Sequence, residues 1–309
     1  MNYDEEMYLH KLRHILDNGA YKDDRTGTGT LSVPAINMDF HLYDGFPLFT
    51  SKKVVWKSVW AELRWFLNGD TSIRPLLENG CNIWNAWAYE RAVNDGFFSG
   101  SMDEYVEAVL SAPYDEGYML GDLGPIYGYQ WRNGRVDQIS QALHLMAEDP
   151  TSRRIMVDAW NIDELEDMQL PPCHYSFQIV LTPVEDSGWT GVDYQATMIV
   201  NQRSADMPIG VPFNIASYAA LLHLMCATTS NNTGLVYEPY QLVWHGGDCH
   251  IYENQVKGVV ELLERSPNRK PSLVVDYDAL TDDLRNLPES TLSVVGYDPQ
   301  PFIHFPVAV

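Results

Sequence analysis

Apolar residues recur at helical spacing over 4–17, where Tyr8, Leu12, Ile15 and Leu16 share a stripe that Asp17-Asn18-Gly19 ends. A turn-rich stretch, Asp23–Thr30, gives way to an alternation that predicts a strand ending near Leu42. Helical spacing returns over about 52–68 through Trp56, Val59, Leu63 and Phe66, and again near 136–147. Asp149–Arg154 then leads into a short strand, Ile155–Ala159. Two β-type runs, 174–182 and 193–201, flank the turn-like Glu185–Gly191. The clearest helix is 214–228, with Ile215, Tyr218, Leu222 and Met225 on one face, and another is predicted over 250–265. Strand-like pieces near 272–276 and 291–295 precede an apolar end, Pro306–Val309. Residues 89–121, with Gly96–Ser101, a short acidic helix and Tyr114–Gly117, read as an insertion in a single domain spanning 1–309. A large sheet packed with helices, without regular βαβ alternation, makes the fold class α+β.

A chain of 309 residues with 45% hydrophobic content can bury a sizeable core. No run approaches the roughly 18 unbroken apolar residues of a membrane span, and Met1–Met7 has neither a basic nor an apolar leader region. Cys81, Cys173, Cys226 and Cys249 lie far apart without zinc-type spacing, so reduced thiols, no metal and a cytoplasmic location are expected. Forty-two acids against 20 bases give a net charge of −22, which argues against binding nucleic acid through its phosphates. An anionic small substrate would need a locally built basic site. That makes each of the few arginines informative.

Gln169–Gln178 places Cys173 and His174 side by side behind Pro171 and Pro172. Alone, such a cysteine reads as core, because a buried thiol is inert unless nearby positive charge lowers its pKa. His174 is not its general base, since adjacent strand residues point to opposite faces. Arginines brought in through space are the expected activators: Arg25 in a Thr/Gly loop, Arg153 and Arg154 before a strand, and Arg203 beside Ser204. Guanidinium, hydroxyl and loop N–H groups form the usual cradle for a phosphate. Asn214 reads as the N-cap of the 214–228 helix or as an amide able to pair with O4 and N3–H of a uracil. Glu62, beside Trp65 and Phe66, would gain a raised pKa on burial, and Asp206 is the second acid to follow. Trp84 and Trp87 read as core or as a wall for a flat heterocycle, and His245–Tyr252 offers imidazole and phenol to a sugar hydroxyl at a helix start.

The chain resembles the thymidylate synthases over nearly its whole length. The matching motifs, in the family's order, are Asp24–Thr30, Glu62–Thr71, Ile83–Trp87, Gly121–Arg132, Asp149–Arg154, Pro172–His174, Gln202–Tyr218, Gly246–Tyr252 and Pro306–Val309. The resemblance implies a mixed sheet that forms a homodimer interface. It makes Cys173 the nucleophile at C6 of dUMP. It gives the phosphate to Arg25, Arg203 and Ser204, with Arg153 and Arg154 donated by the second subunit. Asn214 would read the uracil edge, and His250 with Tyr252 the ribose 3′-hydroxyl. Glu62, Tyr127 and His174 would organise water and proton transfers. Ile83, Trp84, Trp87, Asp206, Gly210 and Phe213 would line the site of the cosubstrate, 5,10-methylenetetrahydrofolate, with Val309 closing over it; Asn214 and Asp206 also join the catalytic set.

The resemblance also implies the reaction, methylation of dUMP at C5 to dTMP. The alternative is a dUMP 5-hydroxymethylase, in which water rather than hydride captures the C5 methylene. Ala61 before Glu62, Asn85 after Trp84, and Met207-Pro208-Ile209 before Gly210 depart from the family's pattern and keep that branch open. The retained tryptophans and the Pro-Val-Ala-Val end favour reduction. A silent RNA-binding relative is disfavoured by the net charge and by the complete set of reactive residue types.

Overall fold

The computed structural model describes residues 2–185 and 187–307. Asn2 caps α1 (Tyr3–Asn18) by accepting from Glu5 N–H at 3.3 Å. Glu5 is fully buried and accepts from the N–H of Thr50, the N–H of Ser51 at 2.7 Å, and the Thr50 hydroxyl at 2.9 Å. One carboxylate therefore ties the first helix to the turn that feeds the second. Glu5→Ala would strand those buried donors and is expected to cost about 3 kcal/mol in chemical denaturation. A change below about 0.5 kcal/mol would refute that role.

The hairpin of β1 (Ala20–Lys22) and β2 (Thr30–His41) follows, then α2 (Trp56–Asn68), which Gly69 ends at φ 78°. The predicted start near 52 is too early. Val54 N–H donates to Tyr297 Oη and Ser51 N–H to Glu5, so this stretch is committed elsewhere. Next come α3 (Arg74–Glu78), α4 (Asn85–Asn94), α5 (Met102–Ser111) and α6 (Tyr114–Leu120). This segment is closed at its base by a bridge between Ser72 and Asp122. Inside it, Arg74 donates to the carbonyls of Leu110, Ala112, Pro113 and Tyr114, while Tyr89, Phe98 and Tyr105 pack edge to face.

After α7 (Tyr127–Arg132) and α8 (Gln138–Glu148) the chain enters β3 (Met156–Asp158), β4 (His174–Pro183), the one-turn α9 (Ser187–Thr190) and β5 (Tyr194–Asp206). Then come α10 (Gly210–Thr233), β6 (Tyr237–Tyr252), α11 (Val256–Leu262) and the small hairpin β7 (Ser272–Val275) with β8 (Leu292–Val295). Six strands form one sheet in the order β1-β2-β6-β5-β4-β3, with β5 and β6 parallel and the other pairs antiparallel. The fold is α+β, as expected, with a large mixed sheet packed by helices.

Alternation along these strands sets the layers. Phe177, Ile179, Met198, Val200, Leu242 and Trp244 are buried on the face that α10 covers, whereas Tyr175, Thr197, Ile199, Asn201 and Val243 on the other face are only half-buried. The α10 helix runs from 210 to 233, longer than the predicted 214–228, because apolar and small residues surround it. By length and mean hydropathy it is apolar enough to cross a membrane, although it holds no unbroken apolar run of that length. Yet 78% of that apolar window is buried within the protein.

The predicted helix over 250–265 is wrong in its first part. Residues up to Tyr252 belong to β6, paired with β2 on one side and β5 on the other, and only Val256–Leu262 is α-helical. Pro239 and the pair Gly246-Gly247 interrupt the alternation that would mark this strand. Ala35 takes φ 58° between Pro34 and Ile36 without shifting the register of β2 against β6.

Candidate active site

Cys173 sits at the bend that opens β4, and its backbone is held from three sides. Its N–H donates to Tyr127 Oη at 2.8 Å, and its carbonyl accepts from Arg203 N–H at 2.8 Å. The Arg203 guanidinium donates to Pro172 O at 2.9 Å and Pro171 O at 2.8 Å, and lies 5.2 Å from the Trp160 ring. The arginine next to the hydroxyl of Ser204 thus also clamps the Pro-Pro-Cys bend. Burial pushes the Cys173 thiol up; Arg203, the Tyr127 hydroxyl and Arg25 pull it down, and Asp206 opposes them. Of the four arginines expected from sequence, Arg203 and Arg25 act on the thiol, and within one chain desolvation is larger. Arg153 and Arg154 lie exposed on the turn before β3, the outermost strand.

Tyr127 also joins the thiol to an aromatic box. It stacks on His174 at 4.3 Å and meets Phe66 at 5.0 Å and Trp84 at 6.0 Å. The His174 Nδ1 pairs with Tyr218 Oη at 2.8 Å, and burial lowers its pKa to about 3, so it is neutral. His174 is thus engaged by two tyrosines. Glu62, on α2, is buried against Trp84 of this box. Burial raises its pKa to about 7, partly offset by Trp84 Nε1, which donates to its Oε1 at 2.8 Å. Trp87 lies 5.4 Å from Trp84, and Ile83 is half-buried beside them.

A second carboxyl faces the thiol from the end of β5. Asp206 Oδ1 accepts from Ile209 N–H at 3.2 Å and Oδ2 from Gln255 Nε2 at 3.3 Å; burial raises its pKa against His250 and Lys52. Strand pairing sets Asp206 opposite His250 and Ser204 opposite Asp248. His250 Nδ1 meets Asp248 Oδ1 at 3.2 Å, and Asp248 is held by Ser32 at 2.8 Å and Lys22 at 2.7 Å. His250 packs edge-on against Tyr252 at 5.1 Å, and Tyr252, whose pKa burial raises to about 12, feels Asp206, Asp24, Cys173 and Arg25. Arg25 is exposed on a loop built around Asp24, which accepts from Thr26 and from Gly29 N–H.

The family model described as Thymidylate synthase matches residues 6–309. The chain belongs to the thymidylate synthase family. Membership implies folate-dependent one-carbon transfer to C5 of dUMP.

The residue types present are compatible with a reduced folate: the indole pair of Trp84 and Trp87, the buried carboxyl of Glu62 and the half-buried carboxyl of Asp206. Gly210 lies between Asp206 and Asn214: a Cβ there would sit 3.8 Å from the first and 3.7 Å from the second. Asn214 is not the N-cap, because α10 already begins at Gly210 with Ile209 as its cap; the side chain sits one turn inside the helix, half-buried, as is Phe213. Val309 lies outside the described residues. Among the described residues, no group of three or more His, Cys, Asp or Glu side chains is placed to hold a metal.

Sequence reasoning missed several participants. Buried Lys52, its pKa lowered by burial to about 8, donates to Pro208 O, faces Asp206 and lies 5.0 Å from the Phe305 ring. Gln255 and Tyr218 are likewise buried partners of site residues. A lysine in a Ser-Lys-Lys turn and a glutamine after a strand carry no local signal of burial.

Proposed function

We propose that the protein methylates dUMP at C5 to give dTMP, with Cys173 as the covalent nucleophile. The observation that carries this reading is the route from Cys173 through Tyr127 to the indole-walled compartment of Glu62. Cys173 Sγ adds to C6 of the uracil, and the electron pair displaced from the C5–C6 bond makes C5 nucleophilic. Folate supplies the one-carbon unit and, in the synthase branch, the hydride. Asn214 reads the uracil edge, His250 and Tyr252 hold the ribose hydroxyl, and Arg25, Arg203 and Ser204 hold the phosphate. Glu62, near neutrality in its pKa, exchanges protons at the pyrimidine carbonyl and the folate edge, with Tyr127 and His174 ordering the path. Loss of the C5 proton and expulsion of Cys173 complete the exchange of C–H for C–CH3. The half-buried sheet face serves as a homodimer interface that brings Arg153 and Arg154 of one subunit to the phosphate of the other. Residues 89–121 are an insertion within the single domain. A cytoplasmic location goes with this reading.

One observation supports hydroxymethylation. Asn85 Oδ1, next to Trp84, is buried without a hydrogen-bond partner among the described residues. A water donating to it would stand beside the indole wall. Incubation with dUMP and methylenetetrahydrofolate is expected to yield dTMP and dihydrofolate; 5-hydroxymethyl-dUMP with tetrahydrofolate would sink the synthase branch.

A further inference from the structure

Gln255 is fully buried between β6 and α11, and its carboxamide is bonded at both ends. Nε2 donates to Asp206 Oδ2 at 3.3 Å and to Pro306 O at 3.1 Å. Oε1 accepts from Tyr252 N–H at 3.2 Å. The three partners come from the end of β5, the end of β6 and the C-terminal tail. A planar amide whose oxygen is fixed on Tyr252 has both Nε2 hydrogens aimed in set directions. Asp206 and the tail are therefore held relative to one another through one nitrogen.

We propose that Gln255 is a positioning residue that couples seating of the C-terminal tail to the orientation of Asp206. The inference rests on the reading of Asp206 as a folate-binding group. Lifting the tail leaves one buried N–H unpaired, and turning Asp206 away leaves the other. Any ligand that fixes Asp206 thus favours the seated tail, and the reverse holds by linkage. A glutamate would set a second carboxylate against Asp206 and offer nothing to the Pro306 carbonyl.

The test uses the full-length protein and Gln255→Glu, which keeps an acceptor for Tyr252 N–H but has no N–H for Asp206 or Pro306. The KM for methylenetetrahydrofolate is expected to rise about tenfold, with dUMP affinity unchanged. Release of the terminal residues by carboxypeptidase should speed up by a similar factor, about tenfold, with Tm close to the parent's. An unchanged folate KM overturns the coupling, even if the tail is released faster. An unchanged release rate overturns it as well. Loss of dUMP affinity, or a fall in Tm that accounts for both changes, reduces Gln255 to a packing role. Failure of the functional reading is distinct, because it shows in the parent protein as absence of folate-dependent turnover.

Discussion

Cys173→Ala is expected to lower turnover by about four orders of magnitude or more while dUMP still binds. The thiol is the only group proposed to bond to the pyrimidine, and nothing else in the proposed chemistry makes C5 nucleophilic. Binding survives because the pocket around the residue is organised through its backbone: the Tyr127 hydroxyl holds its N–H, and Arg203 holds its carbonyl and the two preceding proline carbonyls. None of these contacts uses the sulfur. Steady-state kinetics and calorimetric titration with dUMP check both halves. Turnover within about tenfold of the parent would remove Cys173 as nucleophile.

Glu62→Gln is expected to lower kcat by a factor of about 10²–10⁴ and to remove an ionisation near neutrality from the pH–rate profile. The amide keeps an acceptor for Trp84 Nε1, so the indole stays in place and only the titration is lost. Stability should change with pH in a defined direction. The folded-state pKa, about 7, lies above the ordinary 4.5 because of burial. The associated stability is fully present below pH 4.5 and lost as pH rises through 7, by about 3 kcal/mol in all. The Glu62→Gln variant, with no proton to release there, carries no such loss. Urea denaturation of both proteins at about pH 4 and about pH 8.5 should show the parent losing stability relative to the variant. Parallel curves would mean that Glu62 does not titrate in this range.

Local pattern was enough for elements whose burial repeats at a fixed period. The stripe of Tyr8, Leu12 and Ile15 in α1, and the alternation of β4 and β5, reflect one buried face each. The pattern failed where burial was not one-sided. The long core helix is apolar nearly all round, so periodicity does not mark its ends at 210 and 233. The β6 strand is paired on both edges and crossed by glycines, and its last residues read as helix from sequence. Asn214 reads as a cap for the same reason, since the start of its helix is fixed by the Asp206–Ile209 turn.

The site divides in the same way. Residue types and their order carried the chemistry: a cysteine behind two prolines, scarce arginines beside hydroxyls, paired tryptophans and an acid on an aromatic helix. These are properties of side chains, and the motifs that hold them are local. What tertiary structure decided is electrostatic and relational. Burial outweighs the arginines at Cys173 within the chain, sets Glu62 near neutrality, and keeps His174 uncharged between Tyr127 and Tyr218. The contacts of Lys52 with Pro208 and of Gln255 with Asp206 span 156 and 49 residues of chain, respectively. A pKa depends on every dipole and charge within several ångströms and on exclusion of water. No segment of sequence contains that surrounding by itself; the fold assembles it.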